Sequence, residues 1–339
     1  MIKNWKFWLG LAISAIALYF TLRGIHFDEF AATLASAQIL WLIPAFFTLL
    51  LTLSLRAIRW SSLMGGTPFR ITFHALNVGY MLNSILPFRL GEIGRAYVIG
   101  ERTAVRMTRA LSTVVVERII DLASIVIMFV IFAQFIPMPP QFSAAALTGG
   151  GVVIVVLLAS ILAIWQSDAV ETLLLRITRR IPRLNGDAMA RRFRDIVGGF
   201  QVIRSPVKLA YNLVLTVGIW GTSLFVAFFT MMAFMQARID QMGLTIVLAN
   251  LGGAIPSAPG GLGVVQFFAK QALVIPFQVP EDIAVAFAFV WSLGQQLALI
   301  ALGIVGLLQV GMTFSNVATN TRARTDGAER QTPHIEIGK

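Results

Sequence analysis

Leu86-Pro87-Phe88-Arg89-Leu90-Gly91-Glu92-Ile93-Gly94 and Ile255-Pro256-Ser257-Ala258-Pro259-Gly260-Gly261-Leu262-Gly263 share one frame, 169 residues apart. Proline aligns with proline, and glycine with glycine at two positions. Each stretch interrupts a hydrophobic segment. Inside a bilayer a broken helix is tolerated only where its freed backbone groups are buried in protein or face water. Two such breaks in corresponding halves of a chain point to a transporter-type site between repeats. The paired stretches therefore predict a membrane protein of two halves, each with a broken helix at its centre.

Composition agrees. Hydrophobic residues make up 57% of the 339 residues and charged residues 13%. The mean hydropathy is +0.79. These values exclude an ordinary water-soluble domain. Without cysteine the chain has no disulfide or thiolate chemistry, and redox chemistry says nothing about its compartment. Its three histidines, His26, His74 and His334, are far apart and have no metal-ligand spacing, so neither a metal nor another cofactor is expected.

Apolar stretches long enough to span a bilayer, roughly 17–25 residues, occur at about 7–22, 38–56, 111–135, 143–165, 207–236 and 283–312. The first follows Lys3 and Lys6 and lacks a small-residue cleavage site. It reads as a retained helix rather than a signal peptide. Two further stretches, 71–98 and 243–278, contain the breaks, and the positive-inside rule decides between one bent span and a hairpin for each. With both read as hairpins, 23 of the 27 lysines and arginines lie on the cytoplasmic side. Arg23, Arg238 and Lys270 then lie outside, and Arg118 within a span. With both read as single crossings, the basic stretches 102–109 and 176–208 would lie outside.

The expected fold is thus an all-α polytopic membrane protein: inverted repeats with two re-entrant broken-helix hairpins plus about six full spans. Repeat one runs over about 1–135 and repeat two over about 143–312. Between them 166–206 is cytoplasmic and includes the basic amphipathic helix Asp187–Arg204. That helix either lies on anionic lipid or is a solvated linker. Residues 313–339 read as a disordered cytoplasmic tail. The expected location is the cell inner (plasma) membrane, with both termini cytoplasmic.

Charges at membrane depth default to function. The first break carries Asn83, Arg89, Glu92 and Arg95. The span at 111–135 adds Glu117 and Asp121, which are i, i+4 neighbours on one helix face. Arg89 or Arg95 pairs with this acidic face, leaving the other for a ligand. The opposing reading is an ion-pair network that only holds the hairpin. Arg56, Arg59 and Trp60 read as interface anchors, the alternative being contact with a lipid headgroup. The second break, with Pro256, Pro259, Gly260, Gly261 and Gly263, has no charge. A helix starting near Leu262 would aim its free N–H groups at an anion; the alternative is a tight turn and nothing more. No Gly-x-Ser-x-Gly, His-Glu-x-x-His or Walker-type loop occurs.

Taken together, Arg59-Trp60, Asn83 to Arg95, Glu117 with Asp121, and Pro256 through Val265 resemble the lysylphosphatidylglycerol synthase transmembrane family. This is the flippase-like domain of the multiple peptide resistance factor, and the likeness covers about 5–312. It implies a member standing alone, without a synthase domain after residue 312. It further implies handling of phospholipids or related amphiphiles between leaflets, without catalysis. The family usually has glutamate where this chain has Gln266, and often a Tyr-Arg pair in the last span near Trp291-Ser292-Leu293. The second half of the site is therefore expected to disfavour a cationic lysyl headgroup. The expected partners are membrane lipids and no nucleic acid. The alternatives are an accessory subunit serving a lipid-synthesis enzyme, or a membrane-embedded lipid-modifying enzyme.

Overall fold

A computed structural model describes residues 5–87, 89–134, 151 and 205–321. The described residues are helical, with no strand among them. Helix α1 is Trp5–Leu22, α2 Phe27–Ala35, α3 Leu42–Met64, α4 Phe69–Ile85, α5 Gly91–Arg102 and α6 Met107–Ala133. After residue 204 come α7 Pro206–Met232, α8 Ile239–Ala254, α9 Val264–Phe277 and α10 Glu281–Val310. A last helix, α11, covers 314–321.

The helices fall into two length classes. At 1.5 Å per residue, α3, α6, α7 and α10 measure about 35–45 Å, enough for a hydrocarbon core of about 30 Å. Helices α4, α5, α8 and α9 measure about 18–26 Å and fall short of it. Four segments pass a length-and-hydropathy test for crossing: Ile39–Met64, Pro206–Met232, Pro259–Phe277 and Glu281–Val310. Of these, the third contains α9, whose regular helix is too short to cross alone. Helices α1 and α2, bent by 83°, make a fifth candidate as a pair. Helix α6 has the length but carries Glu117, Arg118 and Asp121 within it. The expected span at 143–165 and the amphipathic helix at Asp187–Arg204 lie outside the described residues.

The short helices form two hairpins. Leu86 precedes Pro87, and its extended backbone (φ −101°, ψ 142°) ends α4, as the proline ring demands. The chain then reverses. A Cβ on Gly91 would run into the carbonyl oxygen of Gly79, and one on Gly79 would come within 2.9 Å of the Arg95 side chain. Antiparallel α4 and α5 thus touch backbone to backbone. Ile255 is extended before Pro256 in the same way. The second turn then needs positive φ at Gly260, Gly261 and Gly263 (70°, 71° and 86°), which glycine adopts without a Cβ clash. The aligned glycines therefore serve different ends, close approach in the first break and left-handed backbone in the second.

Helix α10 relates the hairpins. Near its C-terminal end, Gln309 accepts a hydrogen bond from Arg70 Nη2, and the Gly311 carbonyl accepts one from Arg102 Nη2. The open end of the first hairpin therefore sits there. Near its N-terminal end, Glu281 meets Lys270 of α9. At its middle, Gln296 Nε2 donates to the Gly260 carbonyl at 3.1 Å. The hairpins thus point at each other from opposite ends of α10, and their turns meet near its centre. Arg70, Arg102, Arg106, Arg109 and Lys208, with Glu101, lie at the helix ends nearest the C-terminal end of α10; Asp28, Glu29, Asp240, Glu281 and Asp282, with Arg23, Arg238 and Lys270, lie toward its N-terminal end.

Residues 314–321 correct the expectation of a disordered tail from 313. They are helical, with Val317 and Thr321 fully buried. Val317 and Thr321 lie against Gly94, and Asn320 Nδ2 donates to the Tyr97 hydroxyl at 3.1 Å. The remainder of the tail lies outside the described residues.

Candidate functional site

Helices α3 and α6 run antiparallel, so basic positions one turn apart on α3 face acidic positions one turn apart on α6. Arg59 has no exposed surface; its Nη2 donates to Asp121 Oδ1 at 2.7 Å and lies 3.4 Å from Glu117 Oε1. Its Nη1 donates to Thr216 Oγ1 on α7 at 3.0 Å. Arg56 Nη1 reaches Asp121 Oδ2 at 3.3 Å. Trp60 Nε1 donates to Thr113 Oγ1 at 3.0 Å.

The first hairpin inserts α5 beside this cluster. Arg95 Nη1 lies 3.0 Å from Glu117 Oε2, and Nη2 donates to Glu92 Oε2 at 2.7 Å. Its guanidinium sits 4.7 Å from the centroid of the Trp60 ring, a cation–π contact. Arg118 donates to Glu92 Oε1. Each carboxylate is thus shared by two arginines, a chain from Arg56 to Arg118.

Arg89 stands apart. It has a left-handed backbone (φ 51°) despite its side chain. Its Nη2 donates to the Gly253 carbonyl at 2.5 Å, joining the turn of the first hairpin to the end of α8. Arg89 has no carboxylate partner among the described residues. It lines two cavities. One, of about 280 Å³, lies among α3, α7, α8 and α10 and includes Arg56, Trp220, Asn250, Trp291 and Gln295. The other, of about 310 Å³, lies between the two turns and includes Asn83, Glu92, Arg118, Pro259, Gly260 and Gly261. Gly253, Gly260, Val265 and Gln296 line both.

The structure brings most of the expected site together and corrects two readings. Arg59 and Trp60 are not interface anchors: both are fully buried, and Arg59 lies in the ion cluster, because the antiparallel α6 places Glu117 and Asp121 opposite. Arg56 joins them and borders a cavity. The second correction concerns Gln266, which lines neither cavity. Its Oε1 accepts from Gly263 N at 2.7 Å and its Nε2 donates to Ser292 Oγ at 2.8 Å, so it caps α9 and ties it to α10. Gln266 thereby takes the Gly263 N–H, one of the donors expected to face an anion at the start of α9. Gly263 lines neither cavity; it packs against the Ser14 carbonyl of α1. Pro256 ends α8, and Asn83 Oδ1 accepts from Gly91 N at 2.8 Å, closing the first turn. Arg95, Glu117 and Asp121 lie behind the cavity walls.

Reading the sequence missed Trp220, Asn250, Gln295 and Gln296 as lining residues. The adjacent glutamines interrupt an apolar helix of 30 residues, and that was a usable signal. Asn250, an amide within the apolar second half of α8, was a signal of the same kind; Trp220 carries no comparable mark, since only the packing of α7 turns it inward.

Comparison with known proteins places the chain among membrane proteins. A 26%-identical relative, a UPF0104 membrane protein of Methanothermobacter thermautotrophicus (strain Delta H), aligns over 274 residues, 75% of this chain and 81% of the relative. No solved structure matches the chain. The family model described as the lysylphosphatidylglycerol synthase TM region matches residues 7–303. This multi-pass membrane protein belongs to the lysylphosphatidylglycerol synthase transmembrane-region family.

Proposed function

We propose that this protein moves the headgroup of a membrane amphiphile between leaflets, through the two cavities that meet at Arg89. The observation that carries the reading is the meeting of two broken hairpins, from opposite ends of α10, at cavities lined by both turns. In this reading α10 crosses the bilayer and the hairpins are re-entrant. Their turns sit near the midplane, where irregular backbone is tolerated because it lines a cavity. The acyl or isoprenoid tail stays in lipid while the headgroup passes the charged turn. The basic end, with Arg70, Arg102, Arg106, Arg109 and Lys208, faces the cytoplasm of a cell inner membrane. The protein carries no catalytic step of its own, and membrane lipids are its partners.

The test is reconstitution of the full chain into vesicles containing a headgroup-labelled lipid and an impermeant quencher added outside. Transport predicts that quenching of the inner-leaflet label depends on the protein. No crossing at several copies per vesicle would leave an accessory role. Chemical conversion of the lipid would make the protein an enzyme.

A further inference from the structure

The charges around the breaks do not balance. Arg56, Arg59, Arg89, Arg95 and Arg118 face Glu92, Glu117 and Asp121. Five against three leaves a surplus of two positive charges among the described residues. No carboxylate is free for a cationic ligand, because each already holds two arginines. Among the described residues Arg56 has a share of Asp121, at 3.3 Å, and the face of the Trp220 ring, 5.9 Å away, while Arg89 has a backbone carbonyl and no carboxylate. These two least compensated arginines line the same cavity of about 280 Å³. Trp220 and Trp291 line it too. Weakly compensated cations at membrane depth favour an acceptor bearing negative charge.

We propose that the cavity between Arg56 and Arg89 binds a phosphate anion, either the headgroup of an acidic amphiphile or the free ion. This deepens the transport reading by giving the sign of the headgroup charge. The charge argument itself does not depend on movement. Phosphate offers several acceptor oxygens to two guanidinium forks, a match that arginine makes better than lysine. Phosphate at Arg89 competes with the Gly253 carbonyl for Nη2, so binding loosens the contact joining the two hairpins. A lysyl or other net-cationic headgroup meets the positive surplus and is repelled.

The test uses the purified full chain in an uncharged detergent at low salt. Dioctanoylphosphatidic acid, inorganic phosphate and zwitterionic dioctanoylphosphatidylcholine are titrated separately by calorimetry. The phosphatidate is expected to bind and the choline lipid to bind at least tenfold more weakly. R89Q and R56Q should each weaken phosphatidate binding about 10- to 100-fold, as loss of a charge-assisted hydrogen bond implies. R89K should recover part of it, and R106Q, at the exposed basic end, should match the wild type. Arg89 holds no ion pair among the described residues, so R89Q should fold, and melting curves check this. Tight binding of inorganic phosphate would identify the free ion as a ligand; binding of the phosphatidate alone would identify the headgroup. Equal affinity for both lipids, or phosphatidate binding unchanged in both glutamine variants, overturns the proposal. If lipid crosses vesicles while binding ignores both arginines, the anion site falls and transport stands. If phosphatidate binds through both arginines and no lipid crosses, transport falls and the anion site stands.

Discussion

Asp121→Asn should destabilise the protein more than Glu117→Gln, although Glu117 is the more deeply buried residue. Both changes remove one negative charge with little change of shape. Among the described residues Asp121 is the sole carboxylate partner of Arg56 and, at 2.7 Å, the nearer partner of Arg59. Its loss leaves Arg56, whose side chain is only 15% exposed, without a counter-charge. Arg59 keeps Glu117 at 3.4 Å. After Glu117→Gln, by contrast, Arg59 keeps Asp121 and Arg95 keeps Glu92, each at 2.7 Å. Removing one partner of a buried ion pair costs about 3–5 kcal/mol. Asp121→Asn belongs near the top of that range, because one arginine is stranded. Glu117→Gln belongs near the bottom, at about 3 kcal/mol, because none is. Equilibrium unfolding in mixed detergent micelles, followed by circular dichroism, measures both. The double change R56Q/D121N removes the stranded charge and should recover at least about 1 kcal/mol of the loss. A larger cost for Glu117→Gln, or no recovery in the double variant, would refute the account of how the charges are shared.

Gly91→Ala should cost at least the roughly 1–3 kcal/mol of overpacking and slow lipid crossing. Its Cβ would meet the Gly79 carbonyl and come within 2.6 Å of Asn83 Oδ1; Gly94→Ala meets the end of the Leu82 side chain, which can rotate, so its melting temperature should fall less. Gln266→Glu should keep the acceptor for the Gly263 N–H but lose the donor to Ser292. It is expected to lower the melting temperature without changing the preference between phosphatidylglycerol and its lysyl form; a changed preference would put residue 266 in the binding site after all. Single cysteines at positions 106 and 281 of this cysteine-free chain should label with an impermeant reagent from opposite sides of a vesicle. Labelling of both from one side would defeat the opposed-hairpin orientation.

Much of the fold was legible because a membrane constrains local sequence strongly. Apolar runs set the helices, to within a few residues of α6, α7 and α10. Pro87 and Pro256 mark where α4 and α8 stop, since proline excludes helical backbone before it. The pairing of one arginine of the first break with the acidic face of α6 was also legible, from the i, i+4 spacing of Glu117 and Asp121. Which arginine pairs depends on the path of the turn. Arg95 lies on α5 and packs against α6, while Arg89 lies in the turn and points to the other hairpin.

The sequence alone therefore determined an all-helical membrane protein with two glycine-containing breaks and a set of charges at depth, because periodicity, helix termination and desolvation act locally. Only the tertiary structure decided what those residues face. Arg56 and Arg59 read as ordinary interface arginines until antiparallel packing set α6 against α3. Gln266 read as a neutralised ligand until Ser292 of α10 and the Gly263 N–H took up both ends of its amide. The two cavities lie around the point where hairpins from opposite ends of α10 meet, and their size follows the distance between the facing turns. That distance depends on contacts between segments about 170 residues apart, which no local pattern encodes.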